Sequence, residues 1–377
     1  MNWRRTRAVA RKECLHVLRD PRSLMIALAL PAILLLLFGY ALSLDVDQIS
    51  TLIYDSDQTP DSRELIARFE GSRYFEVLGT TDNYLTIERS IDRGECLLAV
   101  IIPDHFSGDL LHKKPTQIQL LIDGSDSNTA SIARGYAEAL VAGYSASLLE
   151  EEQRQRGGAV WGPPLEAQLR VWYNSELKSK NYIVPGLLAV ILMIIAALLT
   201  SLTIAREWEM GTMEQLLSTP VRPAELVLGK MSAYFLVGAV DTLTAVLIGV
   251  TLFEVPLRGS LLFLAATCFV FLFGTLCWGI LLSAISRTQL AAYQLGTVTS
   301  FLPAFLLSGF IYSIDNMPLP IQIFTHIVPA RYFVHILKGI FLKGIGFEIL
   351  AVEVAFLLGF AALVFFVATR KLKQKIA

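Results

Sequence analysis

The stretch AREWEMGTMEQLLSTPVRPAELVLGK, residues 205–230, joins two long apolar runs, 182–204 and 226–252. This short connection holds the carboxylates Glu207, Glu209, Glu214 and Glu225, one tryptophan, Trp208, and the prolines Pro220 and Pro223. If its flanks cross a membrane, the loop carries more chemistry than a turn between spans requires. The reading of the chain depends on what the flanks are and on what the loop presses against.

Composition and length make the flanks membrane spans. The 377 residues are 54% hydrophobic and 17% charged, against about 25% charged in soluble domains. A net charge of −1 gives no bulk basic character suited to nucleic acid. A helix needs roughly 20 apolar residues to cross the bilayer core. The segments 23–44, 182–204, 226–252, 259–285, 290–312 and 347–368 qualify. Lys and Arg in the short segments concentrate in 1–22 and 369–377, which puts both termini and the 205–225 loop on the cytoplasmic side. The first apolar run is too long for a signal-peptide core of roughly 7–15 residues, so an uncleaved first span is expected. Within 1–22, Val9, Leu15 and Leu18 alternate with Arg5, Arg11, Lys12 and Arg19. That segment reads as an amphipathic helix on the inner surface or as a solvated positive anchor, before the chain turns in at DPRS, 20–23.

Residues 45–181 then lie outside. ISTLIYD, RYFEVLGT, CLLAVIIP and TQIQLLIDGS read as strands. PDSRELIARFEG, DNYLTIERSIDRGE, DHFSGDLLHKK and NTASIARGYAEALVAGYSASLLEEEQRQ read as helices. The continuous apolar run of CLLAVIIP suggests burial on both faces. GGAVWGPP is expected as a linker and EAQLRVWYN as a last strand. Alternating strands and helices imply an α/β domain. The expected fold is a polytopic α-helical membrane protein of six transmembrane helices, with an α/β extracytoplasmic domain between helices 1 and 2.

Enzymatic and metal motifs are missing from the sequence. There is no HExxH, GxSxG or CxxC. His105 and His112 have no carboxylate at ligand spacing and read as surface residues. DGSDSN, Asp123 to Asn128, lacks the Gly and final Glu of a calcium loop and reads as an Asx-capped turn. Cys96 is the one cysteine in the domain, and Cys14, Cys268 and Cys277 read as small apolar fillers. There is no P-loop: before Gly229 and Lys230, Ala224 stands where the first glycine belongs. Energised transport would therefore need a gradient or another chain.

The opening loop can now be read. Gly211 should break the helix of the second span. Thr212 and Gln215 fit a capping box. Met213, Leu216 and Leu217 share one helical face, Pro220 stops the helix, and Pro223 starts the next. A stiff amphipathic helix with this acid content suits docking onto a partner. The alternative is a helix lying on lipid, which the acids oppose at anionic headgroups.

This loop closely resembles the signature loop of ABC-2-type transporter permeases. LLSGFIYSIDNMPLPIQIFTHIVPARYFVHILKGIFLKG, 306–344, looks like that family's segment between spans five and six. The layout of a basic N-terminal helix, one span, a large outside domain and five more spans is similar to the bacterial inner-membrane drug-efflux type. The resemblance covers nearly the whole chain. It implies a coupling helix that touches a separate ATPase subunit, with that role carried onto Glu207, Glu209, Gly211, Thr212 and Glu214. Trp208 and Leu216 of the same loop are counted with them. Met210 stands where a basic residue is common. The resemblance further implies a pair of permease chains, homo- or heterodimeric, with ATP and Mg bound by the partner ATPase and no cofactor or catalytic site on this chain. A periplasmic adaptor is left open as a further partner.

For a path through the bilayer, Asp241 reads as the one charge deep in a span. Such a residue faces protein or water, and pathway contact, interface contact and a structural hydrogen bond all fit it. Pro303, Ser308 and Gly309 bend the fifth span or admit close packing. Residues 313–346 read as an outer interfacial or re-entrant segment with Arg331 and Tyr332 near the headgroups. Apolar spans lean toward lipophilic cargo. An ion-gradient-driven transporter using Asp241 and Glu254, and a membrane-anchored adaptor, are the rival readings.

Overall fold

The computed structural model describes residues 2–41, 48–112, 114–155, 172–174 and 178–376. The linker read at 157–164 and most of the strand read at 166–174 lie outside them. The chain divides into two compact units, 44–169 and the remainder.

Helix α1 is Trp3–Arg19, with Asn2 as its cap. Asp20 interrupts it, and Pro21 opens α2, Pro21–Ala41, since proline suits the first turn of a helix. The side of α1 turned inward is polar. Thr6 and Glu13 are buried, whereas Leu15 and Leu18 are exposed. Of the expected apolar stripe, Leu15 and Leu18 face outward and Val9 packs inward, and the helix is held mainly by the polar contacts described below.

The inserted domain runs β1 Ile49–Asp55, α3 Pro60–Glu70, β2 Phe75–Thr81, α4 Tyr84–Asp92, β3 Leu98–Ile102, α5 Phe106–Leu111, β4 Gln119–Ile122 and α6 Ser127–Gln155. The strand order is β2-β1-β3-β4, with β1 parallel to β2 and β3, and β4 antiparallel to β3. Alternate residues of a strand face opposite sides. Ile49, Ile53, Leu98 and Val100 pack with Leu65, Phe69 and Ala137 on one face. Leu52, Tyr54 and Ala99 pack with Ile87 on the other. β3 is thus covered on both sides. Asp57 crosses between the ends of two parallel strands: it accepts from the Ser107 N–H at 3.1 Å and the Ser107 hydroxyl at 2.7 Å. Asp123 accepts from the Ser125 backbone at 2.9 Å, an Asx turn as the sequence implied.

In the second unit α7, Ser179–Glu209, is followed by α8, Thr212–Leu217, α9, Pro223–Thr251, and α10, Leu261–Ile285. The next helix is composite: α11 Gln289–Gly296, a π turn Thr297–Phe301 and α12 Leu302–Leu307. The π turn ends two residues before Pro303, whose ring cannot fit a regular ladder. After α13, Leu319–Thr325, and α14, Pro329–Lys338, comes α15, Phe347–Ile376. Among the described residues, six helices are long and apolar enough to cross a membrane. In lipid, helices associate through close packing and hydrogen bonds, with small residues at their contacts. A Cβ on Gly279 of α10 would collide with the Ala197 carbonyl of α7, so glycine sets how closely these two helices approach. Thr200 donates to the Leu276 carbonyl at 3.0 Å in the same contact.

Within the segment 313–346, α14 packs into the core, whereas α13 leaves Leu319, Ile323 and Phe324 exposed. In α14, Phe333 is fully buried and stacks on Phe271 at 3.9 Å. Gly259 donates its N–H to the Ile340 carbonyl at 2.9 Å.

Candidate functional site

The last turn of α7 organises the loop. A helix turns about 100° per residue, so the side chains of residues 206–209 radiate in four directions. Arg206 donates to His16 Nε2 of α1 at 3.0 Å and to Gln289 Oε1 of α11 at 3.4 Å. Glu207 accepts from Lys12 of α1 at 2.9 Å, from Lys230 of α9 at 3.1 Å and from the Thr212 hydroxyl. Trp208 packs into the apolar cluster that contains Met213 and Leu226. Glu209 accepts from the backbone and side-chain N–H groups of Gln289, both at 3.0 Å. A carboxylate there favours the N-terminus of α11, where unpaired N–H groups carry positive charge. Ser283 of α10 accepts from Ile204 and Ala205 N–H, each at 2.9 Å, and ties the stem to the bundle.

At the centre is Lys230, 1% exposed, which donates to Glu13 at 2.7 Å and to Glu207 at 3.1 Å. Taking a charge out of water costs several kcal/mol, which only close, complete pairing repays. Two carboxylates on one ammonium meet that requirement, and Lys12 offsets the second negative charge. Above it, Glu225 accepts from the Asn2 N–H at 2.6 Å and the Arg222 N–H at 3.1 Å, and Arg5 donates to the Pro220 carbonyl. Val9 lies against Gly229, where a Cβ would come within 2.6 Å. Helix α1 is therefore clasped to α9 and to both ends of the loop.

The loop itself departs from expectation in three respects. α7 continues to Glu209, so Glu207, Trp208 and Glu209 belong to a spanning helix and not to the loop helix. Gly211, at φ 71°, is the cap of α8. The Thr212–Gln215 capping box is not formed, because the Thr212 hydroxyl is drawn to Glu207. Last, the apolar face is turned inward: Met213 is buried and Leu216 packs beside it. The surface left to a partner is polar, Glu214 and Gln215 with the exposed Met210.

The other candidates lie apart. Asp241 is 1% exposed and neither carboxylate oxygen has a hydrogen-bond partner among the described residues. It sits eleven residues along α9 from Lys230, roughly 16 Å at helical rise. It is also not the one acid within a span: Glu353 of α15 holds His335 at 2.8 Å. Ser308 is buried, its hydroxyl without a partner among the described residues. Gly309, at φ 75°, ends α12, and its carbonyl accepts from the Tyr182 hydroxyl at 3.0 Å and from Lys338 at 3.1 Å. Arg331 donates to the Thr325 hydroxyl. Tyr332 stacks on Phe356 at 4.6 Å and donates to the His326 carbonyl at 3.0 Å. Both are engaged within the protein.

A family model for the ABC-2 family transporter protein matches residues 21–370. The chain belongs to the ABC-2 transporter family. It is 37% identical over 376 residues to the probable multidrug ABC transporter permease YbhS of Escherichia coli, covering 100% of this chain and 98% of that one. With the probable multidrug ABC transporter permease YbhR of the same species identity is 33%, covering 90% of each. With the Escherichia coli inner membrane transport permease YhhJ it is 27%, covering 86% and 85%. The ABC-2 fold thus assigns a membrane-spanning transporter permease to this chain, with no P-loop in its sequence. Sequence reading missed Glu13, Glu225 and Lys230 of this permease. The available signal was Lys230 itself, a cation among apolar residues on a helix that had to cross lipid, and Glu13, an acid amid a basic run.

Proposed function

We propose that this ABC-2 permease is the membrane subunit of an exporter that moves a lipophilic or amphipathic substrate outward. A separate ATPase binds ATP and Mg and docks at the loop end of the bundle. Both termini and residues 205–225 face the cytoplasm in this reading, and the inserted α/β domain faces outward. Two permease chains pair above two ATPases. One observation carries it: the loop is a rigid corner fastened to α1, α9 and α11 by Arg206, Glu207, Glu209 and Lys230. A push on such a corner is delivered to several spans together, whereas a floppy loop would absorb it. Glu214 and Met210 supply the outward contact and Gly211 the turn.

Affinity purification of the tagged chain in mild detergent tests this. A stoichiometric P-loop protein should co-purify, and Glu214→Arg should reduce its recovery at least several-fold. A preparation free of any ATPase, with nucleotide present, would refute the reading and shift attention to Asp241 and Glu353.

A further inference from the structure

A cavity of about 360 Å³ opens beside the corner, between α1, α2, α7 and α9. This is at the lower end of the range for small-molecule sites, roughly 300–1,000 Å³. Leu24, Ala27, Leu198, Leu202 and Val237 make part of its lining apolar, and charged side chains make another part. The charges are not equivalent. Lys12, Glu13, Glu207 and Lys230 satisfy one another. Asp20 is engaged in an interaction of its own. Arg206, half-buried, forms no ion pair among the described residues: its partners, His16 Nε2 and Gln289 Oε1, are neutral acceptors. A guanidinium has five donors in a planar fork suited to carboxylate or phosphate, and these two bonds leave others free. A cation without an ion pair in the wall of a largely apolar cavity is the complement of an amphipathic anion.

We infer that this cavity binds an amphiphile with a carboxylate or phosphate head at Arg206 and an alkyl or aromatic body between α2, α7 and α9. Because Glu207, Lys230 and Thr212 line the same space, the ligand touches the side chains that fix the loop. An occupied site would signal to a docked ATPase; that consequence, unlike the binding, rests on the function proposed above.

Binding is measured on the permease alone. The protein is placed in phosphatidylcholine nanodiscs with a spin-labelled fatty acid, and the immobilised spectral fraction is compared with that of empty discs. A saturable immobilised component is expected. Arg206→Gln should weaken it tenfold or more, since a hydrogen bond to a charged group contributes about 1.5–3 kcal/mol. Arg206→Lys should fall between. Leu202→Trp, which fills the apolar part of the cavity and leaves the charged side chains unsubstituted, should abolish it, so the test survives a misfolded Arg206 variant. Dodecanoate should compete and dodecyltrimethylammonium should not. Competition by phosphatidylglycerol in the disc would identify a bilayer lipid as the occupant, and competition by dodecanoate alone would identify free cargo. Saturable binding unaffected by Arg206→Gln and Leu202→Trp, equal competition by the cation, or no immobilised component would overturn the site. ATPase stimulation in the complex is scored separately, so that binding without stimulation counts against the coupling reading only.

Discussion

Lys230 and Glu13, 217 residues apart in the chain, meet at 2.7 Å in the protein interior. A buried pair stabilises little relative to apolar residues of the same size, but breaking it leaves a desolvated charge. Lys230→Met should therefore destabilise the permease by about 3–5 kcal/mol, and adding Glu13→Leu should recover most of that loss. Thermal unfolding of the two single variants and the double variant in detergent measures the coupling. Additive losses would show that the pair does not act as a unit.

Gly229 decides whether α1 lies close to α9. A Cβ there would fall 2.6 Å from the Val9 Cβ and 3.1 Å from the Thr6 carbonyl oxygen. Overpacking of this kind costs roughly 1–3 kcal/mol. Gly229→Leu should release α1, seen as faster hydrogen exchange across Trp3–Arg19, with α7 and α10 unchanged. Unchanged protection of α1 would contradict the contact.

Adjacent loop residues should separate stability from the coupling proposed above. Met213 is fully buried, so Met213→Ala should cost roughly 2–5 kcal/mol. Glu214 is exposed, so Glu214→Arg should change stability by no more than about 0.5 kcal/mol and still impair transport. Denaturation and transport assays on both variants give the comparison.

Gly211 adopts φ 71° with open space around it, so a substituent there meets strain and not collision. Gly211→Ala should lose roughly 1–2 kcal/mol, the left-handed penalty. Gly211→Asn should lose less, because asparagine tolerates that region. The order Gly, Asn, Ala in melting temperature is the expected result.

In the α/β domain, burial acts to raise the pKa of Asp57, but hydrogen bonds from Thr59 and Ser107 prevail and hold it below the ordinary carboxylate value of 3.8. A carboxylate depressed in the folded state stabilises fully above its unfolded pKa and loses that contribution as pH falls through the folded value. Exchange protection around Thr59 and Ser107 should therefore decline below about pH 3.8. Asp57→Asn should weaken it at neutral pH and flatten that decline.

Much of the fold was legible locally. The strands β1 to β4 and helices α3 to α6 follow from alternation and turn residues, because neighbours in sequence dictate them. Pro60 and Pro223 mark helix starts through their fixed φ. The loop was legible only in part. Gly211 as the helix breaker was readable, whereas the capping box was not formed, because Thr212 had a better acceptor in Glu207, five residues back. The apolar face of Met213 and Leu216 was visible, but its direction was not: periodicity gives a face, and only packing says what it meets.

By itself, then, the sequence determined six spans, an inserted α/β domain, the absence of a P-loop and the family. Each of these depends on composition, period or local motif. The tertiary structure alone decided that α1 buries Thr6 and Glu13 and leaves Leu15 and Leu18 exposed, that α14 is core, and that Lys230 holds Glu13 and Glu207 together. Those facts depend on which distant charges share one desolvated space. No local pattern encodes this, because the partners of a buried charge are chosen by the fold.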